Sequence, residues 1–95
     1  LISLKKMSFL TGSEVTMLVR VKLYATLSRY LSHTAPGIPF EFEVPNGATV
    51  GDLVKGLKLP REEVKLFFVE GRARSIDWPL ESGDEVGIFP LIGGG

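Results

Sequence analysis

Cysteine is absent from all 95 residues of the chain. That excludes disulfides, thiolate metal ligands and a cysteine nucleophile. Any sulfur the protein handled could not sit on a side-chain thiol. Histidine is scarce too: His33 stands alone in a Ser-His-Thr-Ala-Pro-Gly stretch that reads as loop. A metal centre needs several convergent ligands, so this imidazole reads as a solvated polar group and no metal site is expected. Neither sign of charge is in surplus, because eleven Lys and Arg balance eleven Asp and Glu. A polyanion gains no general attraction from such a chain, which argues against nucleic acid as a partner. No apolar run approaches the roughly 20 residues that span a bilayer, so no membrane role is expected and the location expected is the cytoplasm. Asp84-Glu85 is an acidic pair that could suggest a cation site. Hard cations need more converging oxygens than two, so the pair reads as a turn residue followed by a solvated strand residue.

What is present suffices for one domain with a modest core. Residues 1–16 have no clean hydrophobic period, and Lys5-Lys6 before Met7-Ser8-Phe9-Leu10 is too short a pattern for a secretory signal. They read as a mobile or non-native extension ahead of Met17, with the domain proper at 17–95. Val19 to Tyr24 alternates apolar and polar, the pattern of a half-buried strand with Val19, Val21 and Leu23 inward. Ala25 to Leu31 reads as a helical turn, followed by a loop through Pro36, Gly37 and Pro39. Phe40-Glu41-Phe42-Glu43-Val44 alternates again, with acidic outward residues where the first strand has basic ones. Opposed charges on paired strands favour a hairpin by roughly 0.2–1 kcal/mol. Pro45-Asn46-Gly47 marks a turn. Thr49 with Asp52 three residues on has the form of a capping box, and Val50, Leu53, Val54 and Leu57 keep helical spacing. Leu66-Phe67-Phe68-Val69 reads as a strand, Glu70-Gly71 as a turn and Arg72-Ala73-Arg74 as a short return. Glu85 to Phe89 is the last strand, after a turn at Glu81-Ser82-Gly83-Asp84.

This order gives a two-layer α+β protein. A hairpin, a crossing helix and a last strand in the middle of the sheet describe a ubiquitin-like β-grasp. The expectation is a mixed sheet of four to five strands with one main helix packed on one face.

Certain residues carry a family resemblance. Val21-Lys22-Leu23-Tyr24-Ala25 with Leu27 and Arg29, then Ala48-Thr49-Val50-Gly51-Asp52-Leu53, are two such segments. A third is Pro79-Leu80-Glu81-Ser82-Gly83-Asp84-Glu85-Val86, running to Phe89-Pro90 and the glycines Gly93-Gly94-Gly95. Across residues 17–95 the chain resembles the MoaD/ThiS family of sulfur-carrier proteins. It departs from the family in having Glu70 before Gly71 where an Asn is common. It also has Leu91 where a second proline is common, and three terminal glycines in place of two.

The resemblance implies that the carboxylate of Gly95 is the reacting group. A ubiquitin-activating-type adenylyltransferase, MoeB/ThiF-like, would use ATP to adenylate it. A persulfide sulfur would replace AMP to give a thiocarboxylate. The carrier itself would bind no cofactor and act as a co-substrate, or as the non-catalytic small subunit beside a MoaE-like large subunit of molybdopterin synthase. The residues agree with that expectation. Gly94 and Gly95 pass where any Cβ would clash. The six residues beyond Phe89 can extend roughly 20 Å.

Candidate partner-binding residues are Phe89, Pro90, Leu91, Ile92 and Gly93 along the last strand and tail. Phe67, Phe68, Arg72 and Arg74 join them, as an apolar patch rimmed by arginine. Other functions share the same motifs: a carrier for thiamine or tRNA thiolation, a ubiquitin-like modifier joined to lysines, or an interaction module with an inert tail.

Overall fold

The computed structural model describes residues 15–91. Its first strand, β1, is Thr16–Leu23 and alternates exposed and buried residues along its length. Met17, Val19, Val21 and Leu23 enter the core, the last three with no exposed surface. A 3-10 turn, Ala25–Tyr30, follows. Strand β2, Phe40–Pro45, returns antiparallel to β1 with Arg20 opposite Glu41 and Leu18 opposite Glu43. Of the opposed charges expected from the sequence, Arg20 and Glu41 face each other across the hairpin, whereas Glu43 faces Leu18.

Helix α1, Val50–Gly56, crosses to the other side of the sheet. Its start is set by a complete capping box. The Asp52 amide donates to Thr49 Oγ1 at 3.2 Å, and the Thr49 amide donates to Asp52 Oδ2 at 3.0 Å. A helix of two turns is marginal alone, so packing must hold it. Val50, Leu53 and Val54 supply that packing and are buried against the sheet. After a 3-10 turn at Arg61–Glu63 come β3, Val64–Val69, and β4, Arg72–Arg74. The β3–β4 turn takes φ of 52° at Glu70 and 81° at Gly71. This left-handed pair suits the twist of a two-residue hairpin.

Strand β5, Glu85–Pro90, lies at the centre of a five-stranded sheet ordered β2-β1-β5-β3-β4. It runs parallel to β1 and antiparallel to β3. The architecture is the expected β-grasp: a mixed sheet with one main helix on one face. Among the described residues, no element covers the other face. Among the described residues, no helix is long and apolar enough to cross a membrane.

Candidate functional site

The bare face is where β5 presents its alternate residues. Val86 and Ile88 point into the core and are fully buried. Glu85, Gly87 and Phe89 therefore point outward. The register carries this parity across the sheet. Lys22, Gly87, Phe68 and Ala73 share one outward row, and Phe89 stands opposite Leu66.

Three aromatic rings meet on this face. Tyr24 stacks on Phe89, with centroids 4.2 Å apart and planes 5° from parallel. Phe68 meets Phe89 edge to face at 5.5 Å. Gly87 makes the arrangement possible, since a Cβ there would lie 3.3 Å from Tyr24 Cε2 and 3.6 Å from Phe89 Cε1. The rings border a shallow cavity of about 240 Å³ whose lining also includes Lys22, Gly71 and Glu85. That is below the size typical of small-molecule sites.

Lys22 Nζ and Glu85 Oε2 pair across the rim at 2.9 Å. The bond to Lys22 holds the Glu85 carboxyl below its usual range, and the bond to Glu85 holds the Lys22 ammonium above its own. The rim thus carries no net charge that a partner must neutralise. Leu66, about half exposed and opposite Phe89, extends the apolar surface towards β3.

The structure sorts the candidate residues. Phe68 and Phe89 lie in the cluster. Phe67 does not: it is 4% exposed and belongs to the core. Adjacent residues of a strand face opposite ways, and Phe67 stands opposite the inward Ile88. Pro90 is also buried, paired with Val64 at the end of the ladder, so it offers a partner no surface.

Arg72 and Arg74 do not rim the patch. The two-residue turn sets Arg72 opposite Val69 and Arg74 opposite Phe67, both inward residues, so both arginines lie on the helix side of the edge strand. Arg74 lies over the Trp78 ring with its guanidinium carbon 3.9 Å from the centroid. Its Nε is buried and has no hydrogen-bond partner among the described residues. Ala73, between them, is what the outer face receives.

Leu91 is 54% exposed beside the cluster's end. Its amide donates to the Glu63 carbonyl at 2.9 Å. Ile92, Gly93, Gly94 and Gly95 lie outside the described residues. Among the described residues no three His, Cys, Asp or Glu side chains converge as a metal site.

Sequence reasoning missed Tyr24 and Gly87. The contact of Tyr24 with Phe89 depends on β1 pairing with a strand more than sixty residues later. Gly87 did carry a signal. A glycine inside a strand often marks a close approach from another group.

Comparison with known proteins places this geometry. Residues 16–93 match the family described as Mut7-C ubiquitin. A Pyrococcus furiosus protein assigned as molybdopterin converting factor, subunit 1, is 30% identical with a TM-score of 0.62; the match covers 80% of this chain and 99% of that one. The Haloferax volcanii HVO 2177 protein is 26% identical with a TM-score of 0.67, over 84% of this chain and 88% of that one. Small archaeal modifier protein 1 of H. volcanii shares the fold at 21% identity and a TM-score of 0.62, over 80% of this chain and 99% of that one. No curated protein matches at a significant level.

Proposed function

Since the chain belongs to the Mut7-C ubiquitin family, we propose that it is a sulfur carrier whose C-terminal glycine is the acceptor and donor of sulfur. One observation carries the reading. Strand β5 holds Phe89 in the half-buried aromatic cluster and then leads through Leu91 towards the glycines, so one strand would join a docking surface to the reacting end. A carboxylate is a poor electrophile, and activation must come from a partner. A ubiquitin-activating-type adenylyltransferase, MoeB/ThiF-like, docks on Tyr24, Phe68 and Phe89. It attacks the ATP α-phosphorus with the Gly95 carboxylate, releasing pyrophosphate. A persulfide sulfur then displaces AMP, and the thiocarboxylate results once a thiol reduces the acyl disulfide.

The acceptor we assign is the pterin precursor of the molybdenum or tungsten cofactor, held by a MoaE-like large subunit. The 30% identity to the Pyrococcus protein supports this choice over thiamine or tRNA thiolation. The carrier supplies no acid, base or metal of its own. It is a co-substrate that gives its partners a grip and a reachable carboxylate.

Intact mass spectrometry tests the proposal. The chain, with its native C-terminus, is incubated with the adenylyltransferase, ATP and a persulfide donor. A gain equal to exchanging one oxygen for sulfur, localised to Gly95, is expected. No gain with a panel of competent activating enzymes would sink the carrier reading. A second reading, a lysine-linked modifier, is favoured by the fold shared with small archaeal modifier protein 1. It predicts adducts joined through an isopeptide bond, which the same spectra distinguish from a thiocarboxylate.

A further inference from the structure

We propose that Tyr30 and Glu63 are positioning residues that fix the point and direction at which the C-terminal tail leaves the fold, an inference that rests on the carrier reading. Pro90 has no N–H, so the sheet ladder has no donor at the last residue of β5. The next donor is Leu91, and its amide bonds to no strand. It donates to the Glu63 carbonyl, 2.9 Å away, in the 3-10 turn that precedes β3.

That turn is only three residues long. Two backbone bonds hold it, from the Glu63 amide to the Pro60 carbonyl at 3.0 Å and from the Val64 amide to the Arg61 carbonyl, and the Arg61 guanidinium donates to the Val64 carbonyl at 3.2 Å. A further hold comes from a side chain outside the turn. The Tyr30 hydroxyl donates to Glu63 Oε1 at 2.6 Å, in a part-buried site, from 33 residues away in sequence. Tyr30 itself packs against the core. Behind it the Arg29 guanidinium lies 5.3 Å from the ring centre, with one nitrogen 3.5 Å from the hydroxyl. The chain of contact therefore runs from the core through Tyr30 and Glu63 to Leu91.

These groups are separate from the aromatic cluster made by Tyr24, Phe68 and Phe89. The cluster determines whether a partner binds. The Tyr30–Glu63 contact determines where the carboxylate then arrives. On the carrier reading the Gly95 carboxylate lies four residues past Leu91, so the place where Leu91 is held sets the origin from which it reaches. Displacing a reacting group by about 1 Å can cost on the order of 100-fold in rate. The contact thus acts on turnover and leaves docking alone.

The test uses full-length protein carrying Tyr30→Phe or Glu63→Gln, with Thr49→Ala as a control that weakens the fold at the helix cap instead. Two quantities are read: hydrogen exchange at the Leu91 amide, and kcat and KM for the carrier in ATP–pyrophosphate exchange by the activating enzyme. Tyr30→Phe should speed Leu91 exchange about tenfold or more, as loss of a charge-assisted hydrogen bond implies. It should also lower kcat about tenfold, with KM within about twofold. Glu63→Gln keeps an acceptor oxygen without the charge, and its effects should be smaller in the same direction. Thr49→Ala should change neither quantity selectively.

Leu91 exchange at the wild-type rate in Tyr30→Phe would overturn the proposal. Faster exchange with unchanged kcat would also overturn it, as would a rise in KM alone. If the wild-type protein supports no exchange with any competent enzyme, the carrier reading has failed before a variant is tested, and this proposal fails with it.

Discussion

Strand β5 serves both faces of the sheet, and its two sets of residues meet opposite demands. Val86 and Ile88, facing the helix, are completely buried and fit among aliphatic neighbours. Glu85, Gly87 and Phe89, facing the other way, share an ion pair, a missing side chain and a half-exposed aromatic ring. The covered face is optimised for packing, where any lost methylene is felt. Among the described residues, the other face retains apolar surface that no element covers, as a docking surface does. A single strand can therefore separate stability from recognition by the parity of its residues.

That separation can be broken from either side. Leu53→Ala on the covered face opens a cavity beneath a residue with no exposed surface. It should cost about 2–5 kcal/mol in chemical denaturation. At temperatures where the variant remains folded, its affinity for the activating enzyme should match the wild type. Phe89→Ala should do the reverse. Docking, measured by calorimetry or by KM, should weaken by about 2 kcal/mol or more, roughly 30-fold, since it removes the ring that joins Tyr24 and Phe68. Its stability cost should be smaller, near that of the two ring contacts, about 1–3 kcal/mol together.

Gly87→Ala sharpens the comparison further. Its backbone is outside the left-handed region, so the change tests the ring contact at 3.3 Å and nothing else. Docking should weaken by less than in Phe89→Ala, with stability within about 1 kcal/mol of wild type.

The smallest effect concerns the rim pair. Glu85 is held below its ordinary value of 4.5, so its contribution is full above that value and is lost as pH falls through the lowered one. Lys22 is held above its ordinary 10.5, so its contribution is full below that value and is lost as pH rises through the raised one. Between these limits the pair contributes steadily. Docking and stability should both be nearly flat from pH 5 to pH 10 as far as this pair decides them, and Lys22→Ala should be close to neutral at physiological salt.

Local signals gave most of the fold. The alternation in β1 and β2, the Thr49–Asp52 capping box and the Glu70-Gly71 turn all depend on residues near each other in the chain. The site was less legible because it depends on register between distant strands. Phe67 and Phe68 are equivalent in composition, and only the pairing of β3 with β5 decides which ring meets Phe89. The faces of Arg72 and Arg74 were in principle readable, because a two-residue turn fixes Arg72 opposite Val69. A general association of arginine with interface rims outweighed that geometry. The pairing of Tyr24 with Phe89 had no local signal at all.

The parallel contact between β1 and β5 also governs how the molecule is made. The first and last strands are neighbours at the middle of the sheet. Closing them joins residues more than sixty apart, the kind of non-local step that slows folding. On the ribosome, β1 waits for a partner that is synthesised after every other strand. A nascent chain interrupted before Phe89 has neither a finished sheet nor a complete aromatic cluster. Completion of the sheet and completion of the aromatic cluster are thus the same event in synthesis.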